Sequence, residues 1–369
     1  MVDELVRAGK LPAEWRAEFE QVPRHLFVPD AVWTGDGPDL TPLVRGSDPD
    51  RWLDLVYSDD AITTQVDDGA TPPGQPGRYA TSSTSMPSIV AMMLDAARIA
   101  PGMRVLEIGT GTGWNAALLA TRVGEGNVTT VEIDPSVADH ARGALSDAGM
   151  APTVVTADGA DGYLPNAPYD RTVATCAVGR VPHPWVAQTP GGRIVTPWGT
   201  GYHGGTLLCL DVSRDGTACG RFGGDVAFMW LRDQRLPFGW LREHRDDNPA
   251  YDQRTTAIHP GEAVADFDAV FAIGLHQPGC RRSVIDTDDG GFEALIYDPA
   301  SDSRAFVNVE PGGDTYRVRQ HGRRKLWDEV EAGHAWWVDR DRPEHTRFGL
   351  TITPDEQWTW LDEPTQRVP

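Results

Sequence analysis

The chain has 369 residues and a formal net charge of −21 at pH 7, and it is long enough to form two domains. A surface this acidic repels the phosphate backbone of nucleic acids, so we expect no nucleic-acid partner. No apolar run is long enough to span a bilayer and the N-terminus lacks a signal-peptide pattern, so we expect a cytoplasmic protein without membrane contact. The four cysteines lack the spacing of metal ligands, so we expect reduced thiols and no bound metal.

The N-terminal part of the chain combines one helical pattern with irregular segments. Apolar residues recur at helical spacing over residues 1–22, which predicts a helix. Residues 33–54 are rich in Asp, Gly and Pro, which predicts an insertion or a flexible excursion. Residues 66–79 contain three prolines and three glycines and can hold little regular structure. This second segment is either mobile cover for a site or an ordinary surface loop.

A hydroxyl-rich segment, Thr81–Ser85 (TSSTS), precedes an amphipathic helix that is predicted to begin near Pro87. A hydroxyl residue followed by proline just inside a helix is a common N-cap signature. This pattern alone predicts that Ser85 is a helix cap.

The stretch Arg104–Gly113 (RVLEIGTGTG) precedes a predicted helix at Trp114–Val123. Its apolar run is typical of a buried parallel strand, and its alternating glycines let the backbone approach a ligand closely, because no Cβ intrudes. The spacing is neither the dinucleotide fingerprint nor a phosphate loop. Glu107, just before the turn, would point at the cationic or hydroxyl end of a ligand. We infer a nucleoside with an amino-acid tail, S-adenosylmethionine; an ordinary strand-turn-helix corner is the alternative.

Strands and helices alternate regularly from Arg104 to Trp198, which predicts an open, mostly parallel sheet. Ligands in such sheets lie beyond the carboxyl ends of the strands. Glu132 ends a predicted strand about 20 residues beyond the glycine turn, where an acid can accept hydrogen bonds from ribose hydroxyls. Asp158 ends the next strand and could accept from an adenine amino group. Each acid alone could be a strand-end or cap residue, but with the glycine turn they favour one ligand site.

Residues 206–369 change to short alternating runs separated by turn residues, with one predicted helix at 325–338. This pattern is typical of an antiparallel sheet with a helix. We therefore predict an α/β domain at 1–205 and an added C-terminal α+β domain at 206–369. The basic cluster Arg317–Lys325 could attract an acidic substrate segment, or it could be a solvated surface.

Segments spread in order over residues 1–200 resemble protein L-isoaspartate O-methyltransferases. They are PRHLFVP, STSMP, VLEIGTGTGWNAALLA, VTTVEID, the Asp158-Gly159 pair, and Val181-Pro182 through PGGRIVTP. The resemblance implies a Rossmann-like class I methyltransferase domain with a doubly wound sheet that uses S-adenosylmethionine. The cofactor-binding residues are expected to be Glu107, Gly109, Thr110, Gly111, Gly113, Glu132, Ile133, Asp158 and Gly159.

The family's active-site serine lies in a Thr-Ile-Ser-x-Pro segment, and Thr84-Ser85-Met86-Pro87 is the matching stretch, without the isoleucine. The resemblance gives Ser85 that role, with Thr84 beside it and Ser83 as a competitor. A carboxylate acceptor is already ionised near neutral pH, so Ser85 would orient it and no strong base is needed. Ser85, the N–H groups after Pro87, and Arg24 could offset the repulsion between this acidic chain and the substrate carboxylate. Arg24 could equally be an exposed surface residue.

Family members usually end soon after the methyltransferase domain, whereas this chain continues to residue 369 and enlarges its substrate side with residues 33–54 and 66–79. These additions resemble a subgroup associated with ribosomally made peptides such as lanthipeptides and ATP-grasp-ligated graspetides. They imply that residues 206–369 recognise a modified, cyclised precursor peptide. Its acceptor aspartate would be methylated and close to an aspartimide, which persists or opens to isoaspartate. General L-isoaspartyl repair and a non-catalytic peptide-binding scaffold are the alternatives.

Overall fold

The computed structural model describes residues 1–35, 39–235 and 250–369. Its helices are α1 (Val2–Arg7), α2 (Arg16–Gln21), α3 (Pro49–Val56), α4 (Pro87–Ala97), α5 (Trp114–Val123), α6 (Pro135–Asp147), α7 (His183–Gln188), α8 (Pro260–Val264), α9 (Phe267–His276) and α10 (Leu326–Val338). Its strands are β1 (Ala31–Thr34), β2 (Thr41–Val44), β3 (Ile62–Val66), β4 (Ala80–Thr84), β5 (Val105–Ile108), β6 (Val128–Glu132), β7 (Thr153–Thr156), β8 (Arg171–Ala174), β9 (Arg193–Trp198), β10 (Thr206–Val212), β11 (Ala218–Asp225), β12 (Asp252–Thr256), β13 (Arg281–Asp286), β14 (Phe292–Asp298), β15 (Ser303–Val309), β16 (Tyr316–His321), β17 (Phe348–Ile352) and β18 (Gln357–Leu361).

The central sheet has the strand order β18-β17-β11-β10-β9-β8-β5-β6-β7. Strands β5 to β9 are neighbours in parallel pairs, and the pairs from β9 to β18 are antiparallel. Alternate side chains of β5 enter two separate cores, with Leu106 and Ile108 on one face and Val105 on the other. A strand buried on both faces reads as a continuous apolar run, which is why this segment was recognisable. The predicted fold is confirmed: strands β5 to β9 form the parallel, doubly wound sheet, and the added C-terminal region extends it with antiparallel strands.

The C-terminal region contributes to two different sheets. Strands β10, β11, β17 and β18 extend the central sheet, and β10 pairs with β9 from Thr206 opposite Trp198 to Asp211 opposite Arg193. Strands β12 to β16 form a separate antiparallel sheet with the order β12-β16-β15-β14-β13, which is called the third sheet below. The sequence boundary at residue 205 therefore falls between two paired strands of one sheet. The division into a domain at 1–205 and a domain at 206–369 stays a prediction.

Residues 33–54 are more regular than the sequence indicates. They contain β2 and most of α3, and β1 overlaps their start. The two strands belong to an antiparallel sheet with the order β2-β1-β3-β4. Trp33, Leu43 and Trp52 are buried, and the Asp48 side chain caps α3 by accepting from the Arg51 N–H. Between β2 and α3, Gly46 and Asp48 therefore belong to a short connection between two elements.

The helix predicted at 325–338 is present as α10, whereas α9 was not predicted from the sequence. Helix α9 is apolar on nearly every side (FDAVFAIGLH), and residues 269–274 are buried. A short apolar run of this kind has no polar face to reveal its period, so it cannot be distinguished from a buried strand. Both helices lie in the core that also holds the third sheet and one face of the central sheet.

Candidate active site

A cavity of about 720 Å³ opens beyond the carboxyl ends of the parallel strands. Its inner wall comes from the glycine turn after β5, the end of β6, and strand β4 with the residue after it. Its outer wall comes from residues 199–204 and 228–235 and from the third sheet. This position is where ligands bind in open parallel sheets.

The glycines of the turn after β5 have different roles. Gly109 has φ +92°, and a Cβ added there would lie 2.7 Å from the Thr175 Oγ1. Gly111 has φ +54°, and its N–H donates to the Glu132 carboxylate at 3.0 Å. Both line the cavity, whereas Gly113 faces helix α6 and is not on the wall. Positive φ and close packing both require glycine here.

Thr110, Glu132 and Ile133 also lie on the wall. The Thr110 hydroxyl is hydrogen-bonded to the Thr130 hydroxyl at 2.7 Å, which holds the turn against β6. The two carboxylate oxygens of Glu132 accept from the N–H groups of Gly111 and Asp134 at 3.0 and 3.1 Å. Burial raises the pKa of Glu132.

The structure places Glu107 behind the wall. Its side chain is fully buried, and it accepts a hydrogen bond from the Asn115 side-chain amide at 2.6 Å. Its second oxygen has no hydrogen-bond partner among the described residues. Burial raises the pKa of Glu107 to about 7. Asn115, not Glu107, lies on the cavity wall.

Asp158 and Gly159, which follow β7, differ in their position relative to the cavity. Asp158 is exposed, is absent from the wall, and caps a short 3₁₀ turn by accepting from the Ala160 N–H at 2.9 Å. Gly159 is buried and lines the cavity, and an added Cβ would lie 2.6 Å from the Ile108 Cγ2. The local position of Asp158 is thus that of a cap.

Ser83, Thr84 and Ser85 all line the cavity, and the Ser83 carbonyl oxygen would lie 3.3 Å from a Cβ added to Gly111 of the glycine turn. The prediction that Ser85 caps the following helix is wrong. The N-cap of α4 is Met86 without a side-chain cap bond, and the Ser88 N–H donates instead to Asp59 at 2.9 Å. The Ser85 hydroxyl makes no hydrogen bond within the described residues, so it is available to a ligand.

Arg24 fixes the backbone of this segment by hydrogen bonds. Its guanidinium donates to five backbone carbonyls, those of Val56, Ser58, Asp60, Thr84 and Ser85, at 2.8 to 3.3 Å. The side chain is fully buried, and burial lowers its pKa to about 10. Arg24 is therefore neither the exposed residue nor the ligand-facing cation that the sequence suggested; it fixes the backbone on which Ser85 stands.

The outer wall was not found from the sequence. Residues 199–205 (GTGYHGG) are glycine-rich, and this signal could have marked a second close approach of the backbone. Arg235, in the wall segment 228–235, donates to both oxygens of Asp68 at 2.9 and 2.7 Å. The segment 66–79 is therefore tied to the cavity by an ion pair, which agrees better with cover for a site than with an unrelated loop.

A family model for protein-L-isoaspartate(D-aspartate) O-methyltransferase matches residues 54–235. The protein-L-isoaspartate O-methyltransferase of Pyrococcus abyssi is 38% identical over 242 residues, covering 65% of this chain and 94% of that protein. That of Hyperthermus butylicus is 35% identical over 261 residues, covering 67% and 91%. The chain belongs to the protein-L-isoaspartate O-methyltransferase family.

Membership makes the chain an S-adenosylmethionine-dependent carboxyl O-methyltransferase, so the scaffold alternative is set aside. A solved structure named protein-L-isoaspartate O-methyltransferase, 21% identical, matches with a TM-score of 0.55 and covers 98% of this chain and 100% of its own. The shared fold therefore extends beyond the family match, into the C-terminal region.

The basic cluster Arg317–Lys325 is largely neutralised. Arg319 pairs with Glu293 at 3.0 Å, Arg324 pairs with Asp298 and Glu329, and Lys325 pairs with Asp252. Because its charges are paired, this cluster attracts a distant acidic segment only weakly. It is therefore a poor candidate for the site that binds an acidic substrate segment.

Within the described residues, no helix combines the length and apolar character needed to cross a bilayer. The same residues contain no group of three or more His, Cys, Asp and Glu side chains arranged to hold a metal ion.

Proposed function

We propose that this methyltransferase esterifies the free α-carboxylate of L-isoaspartyl residues in peptides and proteins, as a general repair enzyme. The observation that carries the proposal is that Ser83–Ser85, the glycine turn and Glu132 all line one cavity. The names of its relatives, which are 91 and 94% covered, support isoaspartyl substrates.

The inner wall fits the methyl donor. Each Glu132 oxygen accepts one backbone N–H and keeps a lone pair for a ribose hydroxyl. Ile133 and Val131 supply apolar surface beside it, and the backbone of Gly109 and Gly111 can approach closely. Glu107 would act through Asn115, and Asp158 would hold the edge of the site. When bound, S-adenosylmethionine supplies a methyl group on a positively charged sulfur.

Catalysis rests on alignment. With the methyl donor bound, the acceptor carboxylate would bond to the methyl carbon while the carbon–sulfur bond breaks and its electron pair stays on sulfur, so the protein would not need to transfer a proton. Holding the three reacting atoms in line can contribute on the order of 7–11 kcal/mol. Ser85 would donate a hydrogen bond to the carboxylate, and Arg24 keeps the Ser85 carbonyl in place at 2.8 Å.

The test is Ser85→Ala assayed on a synthetic isoaspartyl hexapeptide, with Ser83→Ala as the matched variant on the same wall. We expect Ser85→Ala to lower kcat at least about tenfold and to leave the affinity for S-adenosylhomocysteine unchanged in isothermal titration. Lost cofactor affinity would make Ser85 a cofactor contact. A larger loss of kcat in Ser83→Ala would transfer the role to Ser83.

A dedicated substrate, the acceptor aspartate of a modified and cyclised ribosomal peptide, is the second candidate. One observation favours it: Pro278, Gly279, Arg281, Arg282 and Tyr297 line the cavity, although the family match ends at residue 235. The methyl ester formed there would lose methanol when the next backbone amide attacks, which gives an aspartimide. Comparing kcat/KM for the isoaspartyl hexapeptide and for an intact cyclised precursor separates the candidates. Deleting residues 211–369 would not, because it removes β11, β17 and β18 from the central sheet.

A further inference from the structure

Four arginines lie on the outer wall of the cavity, and three of them pair with other groups of the protein. Arg235 makes the two-pronged pair with Asp68, and Arg232 lies 3.6 Å from both Asp68 and Asp134. Arg282 donates to the carbonyls of Tyr202 and Val264 at 2.9 and 2.6 Å. Their charges or N–H groups therefore hold the wall together.

Arg281 differs from these three. Its guanidinium has no hydrogen bond, ion pair or ring contact within the described residues, although it lines the same cavity. It is the first residue of β13 and stands directly opposite Tyr297 of β14, which also lines the cavity. Directly opposite residues of an antiparallel pair project from the same face of a sheet. Arg281 and Tyr297 therefore project from the same face of the third sheet toward the cavity.

Gly201 gives Arg281 its place on the wall. A Cβ added to Gly201 would lie 3.0 Å from the Arg281 Cγ and 2.6 Å from the Cys280 carbonyl oxygen. Only a residue without a side chain lets the start of β13 lie this close to the turn at 199–204. The stem of Arg281 is thus packed, while its charged end stays without a protein partner.

We propose that Arg281 binds a carboxylate of the acceptor peptide and thereby determines which peptides this methyltransferase accepts. The inference rests on the proposed function, since it assigns a residue to the substrate side of that site. A guanidinium matches a carboxylate with two parallel hydrogen bonds, and such charged bonds are stronger than neutral ones. With a chain charge of −21, an anionic peptide is repelled at long range, and a free local cation offsets that repulsion.

The carboxylate has two possible sources in the peptide: the acceptor itself and an acidic neighbour. The experiment compares the wild type, Arg281→Gln and Arg281→Lys on two amidated isoaspartyl hexapeptides that differ only by Glu or Gln beside the isoaspartate. If Arg281 binds the neighbour, Arg281→Gln raises KM about tenfold for the Glu peptide only. If it binds the acceptor, kcat/KM falls about tenfold for both peptides. Arg281→Lys should recover part of the loss.

The control is Arg323→Gln, which removes an equally positive, exposed side chain of the same region that is not on the cavity wall. Unchanged kcat/KM on both peptides in Arg281→Gln overturns the proposal. So does a loss of affinity for S-adenosylhomocysteine, which would assign Arg281 to the carboxylate of the cofactor. If the wild type methylates neither peptide, the proposed function fails. In that case, the role of Arg281 is tested by measuring the affinity of both peptides in the presence of S-adenosylhomocysteine. Equal affinities in the wild type and Arg281→Gln overturn the proposal for Arg281.

Discussion

The inner and outer walls of the cavity use their polar groups differently. Behind the inner wall, Arg24 donates to five backbone carbonyls, and on that wall Glu132 accepts from two backbone N–H groups, so side chains fix the shape of the backbone. On the outer wall, Arg282 also donates to backbone carbonyls, but Arg235 pairs with the side chain of Asp68, and the Arg281 guanidinium has no partner among the described residues. We therefore propose that the inner wall holds the cofactor, which is the same for every substrate, and that the outer wall contacts the substrate.

The largest effect should come from breaking the inner wall at Arg24. Arg24→Met leaves buried carbonyls without donors, and each costs about 1–3 kcal/mol, so we expect unfolding to become easier by about 3 kcal/mol or more. Urea denaturation measures this, with exposed Arg7→Met as the matched control. Equal loss in both variants would show that Arg24 does not carry this wall.

Glu107, which lies behind the inner wall, should make the free energy of unfolding depend on pH. Burial raises its pKa from 4.5 to about 7, so the folded protein holds a proton that the unfolded chain releases. The resulting stability is complete below pH 4.5 and is lost as the pH rises through 7, about 3 kcal/mol in total. Unfolding free energies of Glu107→Gln should fall less over this range than those of the wild type. Exposed Glu310→Gln should follow the wild type, and parallel curves for all three proteins would refute the assignment.

Gly109 tests whether the inner wall needs its backbone geometry for the cofactor. Gly109→Ala must keep φ near +92° with a Cβ 2.7 Å from Thr175, and left-handed backbone costs about 1–2 kcal/mol for residues with a side chain. We expect the affinity for S-adenosylhomocysteine to fall about tenfold in isothermal titration. Gly126→Ala is the control, because no heavy atom lies within 4 Å of its added Cβ. Unchanged affinity in both would contradict this role.

The smallest effect should come from the outer wall pair. Asp68 and Arg235 are partly exposed, and such pairs contribute about 0–1 kcal/mol. Asp68→Asn should change cofactor affinity by less than about fivefold, and the change should shrink at high salt. Asp362→Asn removes a similar two-pronged pair with Arg347 away from the cavity and should leave affinity unchanged. A larger effect of Asp68 would make the outer wall part of the cofactor site.

Sequence reasoning reached the inner wall because its signals are local. Helix Trp114–Val123 and strands Arg193–Trp198 and Thr206–Val212 begin and end where their patterns predict. It misplaced Ser85 as a cap because the true partner of the helix start, Asp59, lies in another element. Sequence reasoning predicted that Glu107 points at the ligand. Its burial behind Asn115 could not be predicted, because it depends on how β5 and α5 pack.

The sequence by itself determined the strand, glycine turn and helix, since apolar period and the need for positive φ act within about ten residues. Only the tertiary structure decided which charges are free. The carbonyls that occupy Arg24 come from residues 56 to 85, and the turn that supports Arg281 comes from residue 201. A cation's availability depends on all groups within hydrogen-bond reach, and folding brings those groups together from distant parts of the chain.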